Sequence, residues 1–183
     1  MKAGHAAGAR LLMQGDPDWP AAIDDLSDAP PLLWALGRVD LLHRPMIAMV
    51  GARNASSLGM RMARQLAEGL GAAGWLVVSG LARGIDAAAH EGALPTGTAA
   101  LLGGGVDVIY PQKNAGLFRR MAAEGLLLSE QPPGTEPQAR HFPARNRLVS
   151  GMARVVVVVE AAPKSGTLIT ARCALDQGRE GMA

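Results

Sequence analysis

MIAMVGARNASSLGMRMARQLAEGLGAAGWLVVSGLARGID, residues Met46 to Asp86, decides the fold. An uncharged apolar run, Met46–Val50, meets a Gly-Ala-Arg turn, and Ser57 to Ala73 follows with Met62, Leu66 and Leu70 spaced i, i+4, i+8. That is the period of a helix, with Ser56 or Ser57 placed to cap its start and Gly74 to stop it. A second apolar run, Trp75–Val78, meets Ser79-Gly80-Leu81-Ala82-Arg83-Gly84. Two successive strand–turn–helix units, each with an arginine in a turn of small residues, predict an α/β fold whose turns face anions.

The same grammar continues outward. Thr98–Leu102, Leu126–Leu128 and the five valines Val155–Val159 read as buried parallel strands. Ile85–Leu94, Ala115–Ala123 and Thr167–Gln177 read as helices. Strands alternating with helices predict an extended Rossmann-like, doubly wound, mainly parallel sheet with helices on both faces. Residues 46–183 form that domain. Residues 1–10 read as a tail. Residues 11–45 read as an irregular lead-in packed on the core, with a short helix at Ala21–Leu26, a strand at Leu32–Leu36 and a helical turn at Val39–Leu42. Trp19 and Trp34 are expected as its core anchors.

Composition narrows the function. The chain of 183 residues is 49% hydrophobic and 19% charged, which suits a folded domain with a real core. Residues 1–45 hold four Lys/Arg against six Asp, whereas residues 46–183 hold fourteen against ten acids, so positive charge gathers on the main domain. A lone cysteine, Cys173, excludes an intrachain disulfide or a cysteine-based zinc site and reads as a buried structural thiol. His5, His43, His90 and His141 lack metal-ligand spacing. No secretory leader or bilayer-length apolar run is evident, so the expected setting is the cytoplasm.

In an open α/β sheet ligands bind beyond the carboxyl ends of the strands. All five such ends here are rich in Gly, Ser or Pro, and three carry a cation. Glycines let the backbone approach an anion with its N–H groups converging on it. The first turn lacks G-x-G-x-x-G and a ribose-binding acid, and no G-x-x-x-x-G-K-[ST] occurs, which weighs against a dinucleotide enzyme and a P-loop NTPase. Asp86 and His90, four residues apart, are placed for a local hydrogen bond, with Asp86 structural or capping. The densest polar cluster is His141-Phe142-Pro143-Ala144-Arg145-Asn146-Arg147, opening a short helix. Arginine forks suit phosphates and Phe142 suits a base, although one of Arg145 and Arg147 is expected to pair internally with Glu130 or Glu160.

The ordered set VGARNASSLG (50–59), SGLARGIDAAAH (79–90), GGGVDVIYPQKN (103–114), SEQPPGTEP (129–137), FPARNRLVSG (142–151), VVEA (158–161) and SGTLITA (165–171) resembles the DNA-processing protein A family, also called DprA or Smf. The likeness covers roughly residues 12–180. It implies a homodimeric, sequence-tolerant single-stranded DNA-binding protein that protects incoming strands and promotes loading of the RecA recombinase in natural transformation, without catalysis and without a cofactor or metal. By motif it implies a DNA site at Gly51, Arg53, Ser79, Gly80, Lys113, Phe142, Arg145, Asn146 and Arg147, with a further phosphate contact at Lys164, Ser165, Gly166 and Thr167. Many members carry an N-terminal helical domain and a C-terminal winged helix. The 183 residues contain neither and end where another strand is expected, as in a trimmed or naturally shortened chain. The enzyme alternative is a nucleotide phosphoribohydrolase resembling the lysine-decarboxylase-like (LOG) proteins. It is disfavoured because Ser165-Gly166-Thr167 runs into Leu168, Ile169 and Thr170 without the expected glutamate.

Overall fold

The computed structural model describes residues 8–161 and 166–182. Eight strands form one sheet: β1 (Arg10–Met13), β2 (Leu32–Gly37), β3 (Met46–Gly51), β4 (Leu76–Ser79), β5 (Thr98–Leu101), β6 (Leu126–Ser129), β7 (Val155–Glu160) and β8 (Glu180–Met182). Their order is β1-β2-β6-β5-β4-β3-β7-β8. The six strands from β3 onward pair in parallel, and β1 and β2 add an antiparallel edge beside β6. The fold is therefore the doubly wound α/β architecture, with helices on both faces. The chain winds from β3 toward β6, then returns to place β7 on the other side of β3. The switch point lies between β3 and β7, where such sheets open a crevice.

Side-chain alternation along each strand explains the two-sided core. Ile47 and Met49 of β3, with Val77 of β4, pack beneath α1 (Ser57–Ala72) and α2 (Ile85–Ala93). On the same face α3 (Ala115–Glu124) buries Leu117, Phe118 and Met121 against Ala100 and Leu127. On the opposite face Ala48, Val50, Val78 and Leu101 meet Leu148, Val149 and Met152 of α4 (His141–Met152), Ala174 of α5 (Gly166–Asp176), and the lead-in residues Trp19, Ile23 and Leu33. Trp19 is buried, its indole N–H donating to Asp24 at 2.8 Å, and Trp34 packs against the α3-side cluster. Among the described residues no helix is long and apolar enough to cross a membrane.

Three details differ from the sequence reading. Residues 10–13 form β1, so the lead-in contributes two strands to the sheet and not a single short one. Helix α1 forms where expected, but its buried stripe is Gly59, Ala63, Ala67 and Gly71. Met62 and Leu66 are 52% and 43% exposed, and Leu70 is only half-buried. Small residues let α1 approach α2 closely, and that contact outranks the larger side chains. Cys173 is half-buried, and burial pushes its thiol upward in pKa.

The expected Asp86–His90 bond is absent. His90 lies fully buried with Nδ1 2.8 Å from Thr98 Oγ1. The Thr98 hydroxyl donates to Val77 O at 2.6 Å, so its oxygen accepts from His90 Nδ1–H, and Nε2 carries the lone pair. Among the described residues Nε2 has no partner. Burial, then the nearby Arg145 charge, lowers the His90 pKa from 6.5 to about 3. The native imidazole is thus neutral where the unfolded one gains a proton. Stability is undiminished above pH 6.5 and is lost as pH falls toward 3, at about 1.4 kcal/mol per pH unit within that window. Asp86, raised in pKa by burial, slopes the opposite way above 3.8, so the clean readout is a difference. Urea titrations from pH 7 to 4 are expected to show His90→Leu losing less stability than the wild type. Parallel losses would contradict this assignment.

Candidate nucleic-acid interface

Three strand-to-helix turns converge over the carboxyl ends of β4 and β5. The Ser79–Gly84 turn is held by Asp86, whose Oδ2 accepts from Gly80 N (3.1 Å) and Ala82 N (3.4 Å). Within it Leu81 adopts φ +55° while fully buried, an uncommon backbone state for a bulky residue and one that collects at functional sites. Asn114 ties the 110–114 loop to this turn, its Nδ2 donating to Leu81 O (2.9 Å) and Ala82 O (3.2 Å). These bonds fix Lys113 beside Arg83. The first turn brings Arg53 to the same place, and Gly103 and Gly104 supply the third wall.

The resulting cavity has a volume of about 290 Å³ and is lined by Arg53, Arg83, Lys113, Arg145, Tyr110 and Phe142, with no carboxylate in its lining. Arg53, Arg83 and Lys113 are exposed, and among the described residues none has a carboxylate within 4 Å. Tyr110 and Phe142 pack at 5.4 Å between centroids with a 32° tilt, and the Arg53 guanidinium carbon lies 5.8 Å from the Phe142 ring centre. An aromatic ledge beside free cations matches a base and its phosphate in both size and charge.

Arg145 and Arg147 divide their roles. Arg147 is held on both sides, with Nε 2.6 Å from Asp28 and Nη2 2.7 Å from Glu130, and its side chain is only 17% exposed. Arg145 is buried, donates from Nη1 to Leu101 O, and has an unpartnered Nε among the described residues. Burial lowers its pKa to about 10, opposed by the negative Asp86 and assisted by the positive Arg53, so it remains charged at neutral pH. A Cβ on Gly80 would stand 2.6 Å from the Arg145 guanidinium carbon, so only glycine allows this arginine to lie against the turn. The helix carrying both arginines begins at His141, so the polar cluster opens it and forms its first two turns, as the sequence predicts.

A second cavity, about 410 Å³, sits at the β3/β7 switch point. Gly51, Gly80, Phe142, Arg145, Asn146, Gly166 and Thr167 line it together. Ser79 lies beneath, buried, with Oγ donating to Met49 O at 2.5 Å. Arg147 is absent from both cavity linings. Lys164 and Ser165 lie outside the described residues. Arg83, Tyr110 and Asn114 belong to the site and were not singled out as site residues from sequence. Arg83 alone carried a signal, as the arginine of the second Gly-rich turn.

The N-terminus of α1, where a dinucleotide fold holds pyrophosphate, already has an anion. Glu160, the last residue of β7, accepts from Ser56 N (3.1 and 3.2 Å) and Ser56 Oγ (2.7 Å). Ser56 Oγ in turn accepts from Gly59 N at 3.0 Å. A side chain at Gly59 would collide with the Glu160 carboxylate.

Fold and site together define a Rossmann-like protein with a cationic cavity at its strand ends in place of a dinucleotide cleft. Comparison with known proteins agrees. The sequence model of the DNA recombination-mediator protein A family matches residues 10–183. Protein Smf of Synechocystis is 45% identical over 179 residues, covering 93% of this chain and 44% of that protein. DNA processing protein DprA of Streptococcus pneumoniae is 43% identical over 170 residues, covering 92% of this chain and 60% of that protein. Its crystal structure superposes with a TM-score of 0.89, covering 94% of this chain and 61% of that one at 41% identity. DNA processing protein A of Helicobacter pylori, whose structure describes a single-stranded DNA binding mode, gives 0.89 at 34% identity, covering 94% of this chain and 79% of that one. The chain belongs to the DNA recombination-mediator protein A family. It spans about half the length of the curated relatives it matches.

Proposed function

We propose that this chain is the single-stranded DNA-binding core of a DNA-processing protein, holding strands of any sequence without breaking a bond. One observation carries the reading: Arg53, Arg83 and Lys113 surround an aromatic-walled cavity that contains no carboxylate. Phosphates would meet Arg53, Lys113 and the unpaired face of Arg145, with bases against Phe142 and Tyr110. The glycine turns at Gly51, Gly80 and Gly103, and the Asn146, Gly166 and Thr167 rim, would let the backbone come close. Lys164 and Ser165 would extend that rim. Arg147 is left out, because Asp28 and Glu130 already occupy its guanidinium. A single nucleotide is the poorer ligand, since Glu160 fills the position its phosphate would take at α1. Within the cell the protein would act as a homodimer, protect incoming strands and hand them to the RecA recombinase during transformation, as the family likeness suggests.

Labelled oligo-dT and a duplex of equal length, titrated at low and high salt, test this. A clear preference for the single strand is expected, with a log–log salt slope near −2 for three phosphate contacts at about 0.7 each. Equal binding to duplex, or displacement of oligo-dT by nucleoside monophosphates, would overturn the reading.

A further inference from the structure

A third cavity, about 710 Å³, lies along the groove between α1 and α2. It shares Arg53, Arg83 and Lys113 with the strand-end cavity and adds Arg61 and Arg64 from α1. The two spaces are thus continuous through three cations. Glu91 is the groove's single carboxylate, and it is paired with Arg64. Arg61 has no carboxylate within 4 Å among the described residues. Met60, Ala87 and Ala88 supply an apolar floor.

The fold uses one of these cations, Arg64, in the ion pair with Glu91 of α2, and makes no carboxylate contact with Arg61 among the described residues. Arg61 and Arg64 are exposed, and they sit in the N-terminal half of α1, whose first turn contains no acid. Both lie beyond the first turn, where the helix dipole has fallen off, so the dipole gives no reason for cations at these positions. Spaced i, i+3, the two side chains lie on one face, as successive phosphates require.

We infer that the α1/α2 groove is a second binding segment for the same single strand, which leaves the strand-end cavity between Arg83 and Lys113 and runs past Arg61 and Arg64 over the Met60 and Ala87 floor. The ligand is a polyanionic chain with flat apolar groups, not free phosphate. This inference rests on the single-strand reading of the strand-end cavity and adds a length requirement to it.

The test compares oligo-dT of about 4 and about 16 nucleotides, within the range of strand lengths single domains engage, on wild type and the Arg61→Ala/Arg64→Ala double variant. Alanine favours the helix, and equal thermal midpoints will confirm that the fold is kept. The wild type is expected to bind the longer strand more tightly, with a steeper salt slope. The double variant should bind the short strand as the wild type does. On the long strand it should lose about tenfold in affinity, and its slope should fall by about 0.7 for the unpaired Arg61, and by up to about 1.4 where the strand displaces Glu91 from Arg64. An unchanged slope on the long strand, or equal loss on both lengths, would overturn the groove assignment while leaving the first cavity standing. Failure of the wild type to bind either length would overturn both. A wild type whose short-strand binding is competed by inorganic phosphate, with no gain from length, would assign the cations to a free anion and reject the strand path.

Discussion

Reversing Arg53 or Lys113 to glutamate is expected to weaken single-strand binding by about 100-fold or more while leaving the fold intact. Each reversal removes a cation that has no carboxylate partner among the described residues and puts a like charge against phosphate in the same cavity. Both side chains are exposed, so the expected stability change is within about 0.5 kcal/mol, apart from the Arg53 contact with the Phe142 ring, worth about 0.5–1 kcal/mol. Arg119→Glu, at an exposed position of α3 outside these cavities, is the charge-matched control and should bind nearly as well as the wild type. Gel-shift titrations read the difference. Equal losses in all three variants would reduce the site to net charge, and no loss in the first two would remove them from the site.

The largest loss of stability is expected from Arg145→Met. The positive charge of Arg145 opposes the effect of burial on Asp86, and although no ion pair within 4 Å joins them, losing that charge and its hydrogen bond leaves buried polar groups uncompensated, at about 1–3 kcal/mol. Leu101 O also loses its donor. The pH dependence distinguishes this cause from a simple packing defect. Burial already raises the Asp86 pKa above 3.8, and without Arg145 it rises further. A raised acid binds its proton more tightly in the folded state, so stability falls as pH rises from 3.8 through the folded pKa. The Arg145→Met deficit is therefore largest at neutral pH and shrinks toward pH 4. Adding Asp86→Asn should recover much of the loss at pH 7, since an amide oxygen still accepts from Gly80 N and Ala82 N. A deficit that is the same at pH 4 and 7, or no recovery in the double variant, would contradict this coupling of the two charges.

How much of this was legible in the sequence depended on how each element is stabilised. The strands stood out as apolar runs: Leu126–Leu128 is buried on both faces, as such runs demand, whereas of Val155–Val159 only Val156 is buried and the rest are half-buried. Strand β1 did not, because four residues at an antiparallel edge carry little pattern. The buried face of α1 was hidden for a different reason. Gly59, Ala63, Ala67 and Gly71 contribute little hydrophobic signal, yet their small size lets α1 lie close to its neighbours, Gly59 against Glu160 of β7 and Gly71 against Thr96 beyond α2. In the site, Arg53 announced itself by its turn, and Lys113 drew notice only through the family likeness. Asn114 and Tyr110 act through tertiary contacts that span about thirty residues and carry no local spacing signal. Glu160 was visible as a carboxylate ending an apolar strand, but its partner Ser56 lies 104 residues earlier.

The central claim is that a single strand lies across the strand-end turns of the sheet. Amide hydrogen exchange with and without saturating oligo-dT tests it most directly. Slowed exchange is predicted in the 51–54, 80–84, 103–105 and 110–114 turns, with residues 15–31 of the lead-in unchanged. Slowing confined to the lead-in or to α5, with those four turns unaffected, would contradict it.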